Sequence, residues 1–244
     1  MVWGDVSPHP GVLSTCPGDI QRTLAGLSAG GYRRQYSPLH AEPAMVCVRR
    51  VPAARSGLEV LLSVFTNPAT GAAEHAAAYV PAVLALLGDH DPIAVLRETP
   101  SALRHAIDGV SPGHLRQPER PGKWSIGEVL HHLADSELVW AWRTRLILAH
   151  DRPPLTGYDQ DLWANRLHYE EGDPCEALAV FTVLRQANLR LLERATPADL
   201  RRVGVHAERG EESLEHLVRL YAGHDLLHLR QIERVRGAVA SDAS

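Results

Sequence analysis

Two histidines four residues apart, in His224-Asp-Leu-Leu-His228, are the residues of this chain best placed to do chemistry. On a helix that spacing turns both imidazoles toward one spot, and a pair of nitrogen donors sharing a spot is part of a site for a transition metal. Stepping ~100° per residue from His224 puts Leu217, Leu220, Tyr221, Leu227, His228, Gln231 and Val235 within ~60° of it, with Arg219, Leu229 and Arg230 turned away. The pair therefore shares the apolar stripe of an amphipathic helix and faces a core, where each polar group needs a partner or costs roughly 1–3 kcal/mol.

Two imidazoles are too few for a tight site, so a third ligand has to come from another helix. The segment Trp124 to Ser136 supplies the candidates. On a wheel centred on Leu133, residues Ile126, Val129, Leu130, Trp140 and Ile147 define the buried face; His131 falls at ~160°, toward solvent, and His132 at ~100°, on the edge of the core. His132 is the expected third ligand. Phase alone leaves an alternative open: in a chain with 14 histidines such a pair arises by chance, a buried histidine is commonly a hydrogen-bonded core residue, and the two helices need not be neighbours.

Three histidine ligands would leave a coordination position for water or substrate, as catalytic zinc sites do and structural ones do not. Glu128, Asp135, Ser136 and Asp225 are near enough in sequence to accept an imidazole N–H. Arg143, on the same helix edge as His132, is the candidate to hold an anionic group of a small-molecule substrate. Its competing reading is a surface arginine paired with a neighbouring carboxylate. Tyr158, Asp159 and Trp163 occupy a loop that either covers the site or packs as ordinary turn residues, and Tyr221 reads as core.

The elements that must position these groups are helical. Residues 72–87 form an alanine-rich helix stopped at Gly88, and 92–109 the next. Ser125, with Glu128 three residues on, is a capping box opening a long helix to about His150. A loop with a short helical turn follows, then helices over 174–195 and 211–237, the last closing on a basic turn. Amphipathic helices of this length predict an all-α four-helix bundle over 71–240. Residues 1–70 are rich in Pro, Gly and Ser, with strand-like patterning only at 45–50 and 58–66, and read as an irregular extension or as sequence upstream of a mis-assigned start.

A net charge of −4 and the absence of a Lys/Arg-rich run argue against a nucleic-acid partner. Residues 76–87, the longest apolar stretch, are too short to span a bilayer, and no secretory signal opens the chain. Cys16, Cys47 and Cys175 are far apart and odd in number, which reads as reduced thiols in a cytoplasmic protein. No heptad pattern addresses oligomeric state, and a homodimer stays open.

The run Pro121-Gly-Lys-Trp-Ser-Ile-Gly-Glu-Val-Leu-His-His-Leu-Ala-Asp-Ser-Glu137, followed by Gly223-His-Asp-Leu-Leu-His-Leu-Arg-Gln-Ile232, resembles the DinB-like superfamily over about residues 91–236. That resemblance implies a metal-binding four-helix bundle in which His132, His224 and His228 hold one divalent ion: zinc, nickel, iron or manganese. It also implies one of several activities: a thiol S-transferase using a low-molecular-weight thiol such as bacillithiol or mycothiol, a hydrolase with water in the thiol's place, or a stress-response bundle that binds metal or ligand without turnover. The His-x-x-x-His-x-Glu pattern of the related sulfoxide synthases is not met, because Arg230 stands at the glutamate position.

Overall fold

Helix starts and stops are set by side chains already visible in the sequence. In the computed structural model, which describes residues 72–241, Asp91 caps α2 (Pro92–Ile107) and Ser111 caps α3 (Pro112–Arg116), after α1 (Ala72–Leu87). Gly88 ends α1 with φ +53, a conformation that a side chain would strain. The capping box forms as expected at α4 (Ile126–Ala149): Ser125 Oγ accepts from Glu128 N–H at 3.3 Å, and Glu128 Oε2 accepts from Ser125 N–H at 2.7 Å. Such a cap contributes about 1 kcal/mol and fixes the register of every side chain on α4. After β1 (Pro154–Leu155), Asp159 caps α5 (Gln160–Arg166), Asp173 caps α6 (Pro174–Leu192) and Thr196 caps α7 (Pro197–Leu200). The chain then forms β2 (Val203–His206), β3 (Gly210–Ser213) and α8 (Leu214–Ser241). The expected extension, with its strand-like stretches at 45–50 and 58–66, lies outside the described residues.

Helices α2, α4, α6 and α8 make the bundle. Each of α2 and α4 packs on both α6 and α8, which puts α6 diagonally across from α8; α1 lies against α8 as a fifth helix. The bundle has two apolar halves. One gathers Leu96, Trp140, Leu189, Leu217 and Tyr221, the other Leu103, Leu133, Phe181, Ile232 and Val235. Side chains of this size contribute roughly 1.5–3 kcal/mol each when buried. Between the halves lies a polar layer: Glu137, Arg185, Asn188, Asp225, Gln231 and the three candidate histidines are all buried.

A small sheet joins the bundle at one end. β1 pairs parallel with β2, and β2 antiparallel with β3, which runs directly into α8. The all-α reading holds for the architecture but missed these strands, because two to four residues are too few for period-2 alternation to register. The last helix accordingly begins at Leu214 and not Glu211, which belongs to β3 and pairs with Arg152; it runs past Gly237, so it has no basic last turn. Similarly α2 stops at Ile107, before Gly109. Cys175, expected as a reduced thiol, is disulfide-bonded. That removes the ground on which the cysteines argued for a reducing compartment. No single helix among the described residues is long and apolar enough to cross a membrane.

Candidate metal centre

His132 stands two turns into α4, while His224 and His228 stand one turn apart on α8, and the packing of α4 on α8 brings all three together. Their ligand nitrogens lie within 4.8 Å of one another, and Nε2 of His132 is 3.1 Å from Nε2 of His224. Two nitrogens each ~2.0–2.1 Å from one ion stand roughly 2.9–3.4 Å apart at tetrahedral to octahedral angles. The 3.1 Å separation is therefore one at which both nitrogens could bind a single ion. Ring centroids are 4.4–5.2 Å apart, and the Trp124 ring covers His132 at 5.0 Å. Gly223, next to His224, lets α1 approach: a Cβ there would collide with the Val83 carbonyl oxygen.

Burial sets the protonation. His132 is pushed well below the ordinary histidine range by burial and then by His228; His224 is pushed down likewise by burial and by both partners. Burial lowers His228 to about 4 against the opposing pull of Gln231. All three rings are thus neutral at pH 7 and offer lone pairs without first releasing protons. The Gln231 side-chain carbonyl lies 2.7 Å from His228 Nδ1, which puts the proton on Nδ1 and leaves the lone pair on Nε2. His132 Nδ1 is buried with no hydrogen-bond partner among the described residues. Three neutral imidazoles, converged and with one buried nitrogen unpartnered, gain little as packing and suit a soft-to-borderline divalent ion.

The structure moves several other candidates. His131 does not face solvent: it is half-buried and stacked on Tyr169 at 5.6 Å. None of the four expected acceptors serves an imidazole. Glu128 closes the capping box, Asp135 accepts from the Tyr169 hydroxyl, Ser136 bonds Tyr158, and Asp225 pairs with Arg185; Gln231 takes the role instead. Arg143 is not a surface arginine paired with a carboxylate. It is 5% exposed and donates to the Thr156 carbonyl. Tyr158 and Trp163 pack ring to ring at 4.6 Å and line a cleft of about 280 Å³ with Arg143.

Sequence reasoning missed the neighbouring ion network. Arg185 donates to Glu137 of α4, to Asp225 of α8 and to the Leu96 carbonyl of α2, and Asn188 Nδ2 donates to Glu137 Oε1 at 2.7 Å. The signal was present: Leu178, Phe181, Arg185, Asn188 and Leu192 follow the 3-4-3-4 spacing of a buried stripe, as do Leu130, Leu133, Glu137 and Trp140.

The profile of the DinB superfamily matches residues 96–232. A Bacillus subtilis protein named "Putative metal-dependent hydrolase YfiT" is 31% identical over 141 residues, covering 57% of this chain and 79% of the relative. A Geobacillus kaustophilus protein named "Putative metal-dependent hydrolase GK0616" is 33% identical over 150 residues, covering 59% of this chain and 82% of the relative. The solved YfiT structure, described as a probable metal-dependent hydrolase with an unusual four-helix bundle topology, superposes with a TM-score of 0.55 at 29% identity over 60% of this chain and 86% of that one.

Proposed function

This chain belongs to the DinB superfamily, and from that premise we propose that it is a metal-dependent enzyme in which His132, His224 and His228 hold one divalent ion and present a small-molecule substrate to an activated nucleophile. One observation carries the reading: three neutral, buried imidazoles from two helices converge on a single point. When bound, the ion supplies a Lewis acid and lowers the pKa of water or of a thiol toward neutrality. Everything else is the work of the chain. Gln231 fixes the tautomer of His228, Trp124 and Tyr221 wall the site against bulk water, and the capping box and Gly223 hold the two ligand-bearing helices in register. The names of the relatives support water as the nucleophile and hence a hydrolase. A thiol S-transferase, using bacillithiol or mycothiol, rests on the same three histidines, where a bound ion would hold the thiol as its thiolate.

Elemental analysis of the purified protein is expected to return about one equivalent of zinc, nickel, iron or manganese. His132→Ala and His228→Ala should each lose it. Retention of full metal content by both variants would overturn the site. Ester and amide hydrolysis and thiol conjugation to a generic electrophile, run side by side, separate the two nucleophiles. Metal without turnover in either assay would instead support a non-catalytic binding bundle.

A further inference from the structure

Arg143 is buried, yet none of its partners is a carboxylate. Its Nη2 donates to Thr156 O at 2.5 Å, the Tyr221 hydroxyl hydrogen-bonds the guanidinium, and Nε is enclosed with no acceptor. Among the described residues it forms no ion pair. A guanidinium cannot shed its charge in a protein, so this is a buried cation awaiting an anion.

The contact with His206 sharpens the point. His206 Nδ1 accepts the Glu208 N–H at 3.2 Å, so in the neutral ring the proton sits on Nε2. Nε2 is 3.4 Å from Arg143 Nη2, and both nitrogens are then donors that cannot satisfy each other. Two N–H groups that face each other without an acceptor between them are what an oxyanion can bridge. Arg209, the other nearby cation, is held by Glu212 at 2.6 and 2.9 Å, and Glu208, the remaining carboxylate beside His206, makes no ion pair with Arg143. The cleft that Arg143 lines is otherwise walled mostly by apolar side chains, Leu138, Trp142 and Trp163 among them. Tyr221 connects this end to the histidines, its ring 6.0 Å from that of His224.

We propose that Arg143, on the wall of this cleft and backed by His206 and Tyr221, binds a carboxylate, and that the substrate is a small monocarboxylate with an apolar body lying in this cleft and its reacting end toward the three histidines. Eleven residues of α4 separate Arg143 from His132, a rise of about 16 Å. Tyr221, bonded to the guanidinium and with its ring 6.0 Å from that of His224, spans part of that separation. The reacting end of this inference rests on the metal reading above; the anion subsite itself does not.

The test uses the full chain, with metal content recorded for every sample. The probes are 4-phenylbutyrate and its amide, followed through the fluorescence of Trp142 and Trp163, which line the cleft. The acid is expected to bind at least tenfold more tightly than the amide. Arg143→Met should erase that preference with metal content unchanged, and Arg143→Lys, which keeps the charge without the planar fork, should weaken acid binding several-fold even if the Met variant folds poorly. Equal binding of acid and amide, no binding of the acid, or wild-type acid binding by Arg143→Met overturns the subsite. Acid binding that survives Arg143→Met but vanishes in His228→Ala places the carboxylate at the histidines, overturning the subsite and supporting the metal reading. Acid preference that depends on Arg143 in a protein lacking metal does the reverse.

Discussion

Arg185 and Arg143 are buried in the same bundle, at 0% and 5% exposure, and meet opposite surroundings. All five N–H groups of Arg185 find acceptors: two bonds go to Glu137, two to Asp225 and one to the Leu96 carbonyl. A single guanidinium thereby ties α6 to each of the other three bundle helices, and Phe181 and Trp140 pack over it at 4.6 and 5.5 Å. Burial alone would lower its pKa, but the two carboxylates outweigh that and raise it. Arg143 has a carbonyl, a hydroxyl and a facing donor, and no carboxylate. A closed polar network specifies the fold, while a donor set left open inside the same fold marks where a ligand completes it.

The largest expected effect breaks this comparison from the structural side. Arg185→Met leaves Glu137 and Asp225 buried without their cation, and removing one partner of such a network destabilises by about 3–5 kcal/mol. Arg143→Met removes a cation that no carboxylate pairs with and costs only its bonds to Thr156 and Tyr221, so the unliganded protein should lose about 1–2 kcal/mol at most. Urea unfolding of the two variants beside the parent measures both. Equal losses would mean that Arg143 is as much a structural arginine as Arg185.

Acid separates the two regions next. In the metal-free protein His228 has a pKa of about 4, held down chiefly by burial, against about 6.5 unfolded. The folded state binds fewer protons between those values, so this contribution is complete above about pH 6.5 and is lost as pH falls toward 4. From pH 7 to about pH 5 His228 alone should remove roughly 2 kcal/mol, and His132 and His224, shifted the same way, add to it. Chelator-treated protein unfolded in urea at the two pH values reads the slope, which His228→Gln should flatten. A slope unchanged by that variant would place the acid sensitivity elsewhere.

The same contrast explains what was legible in the sequence. His224 and His228 report their common direction through a four-residue interval, and the phase of His132 on α4 selects it over His131, because both signals are local to one helix. Ser125 with Glu128, and Gly88, mark helix ends for the same reason. The pairing of α4 with α8 came from the family resemblance, since no local pattern contains it. Arg185 stayed hidden because its partners lie 48 and 40 residues away on different helices, and an arginine met alone on a helix reads as solvated. His206 was hidden more deeply, carried by a four-residue strand that only its pairing with β1 and β3 defines.

A smaller effect sharpens the boundary between the two regions, because Gln231 belongs to the polar layer yet serves the histidines. Its side-chain oxygen is the acceptor that keeps the proton of His228 on Nδ1. Gln231→Leu fills the same space but leaves that N–H buried without an acceptor, and the ring then gains by turning or by moving its proton to Nε2, the ligand atom. Loss of such a supporting bond weakens metal binding about 10- to 100-fold. Gln231→Glu keeps the acceptor, adds negative charge beside the imidazole and should bind metal at least as tightly as the parent. Competition against a chromophoric chelator gives the order Glu at or above Gln, and Gln above Leu. Since Arg185 and its carboxylates are untouched, the Leu variant should keep the parent's metal-free stability to within about 1–2 kcal/mol. If metal affinity instead follows stability across the three proteins, Gln231 acts through packing of the layer and not through His228.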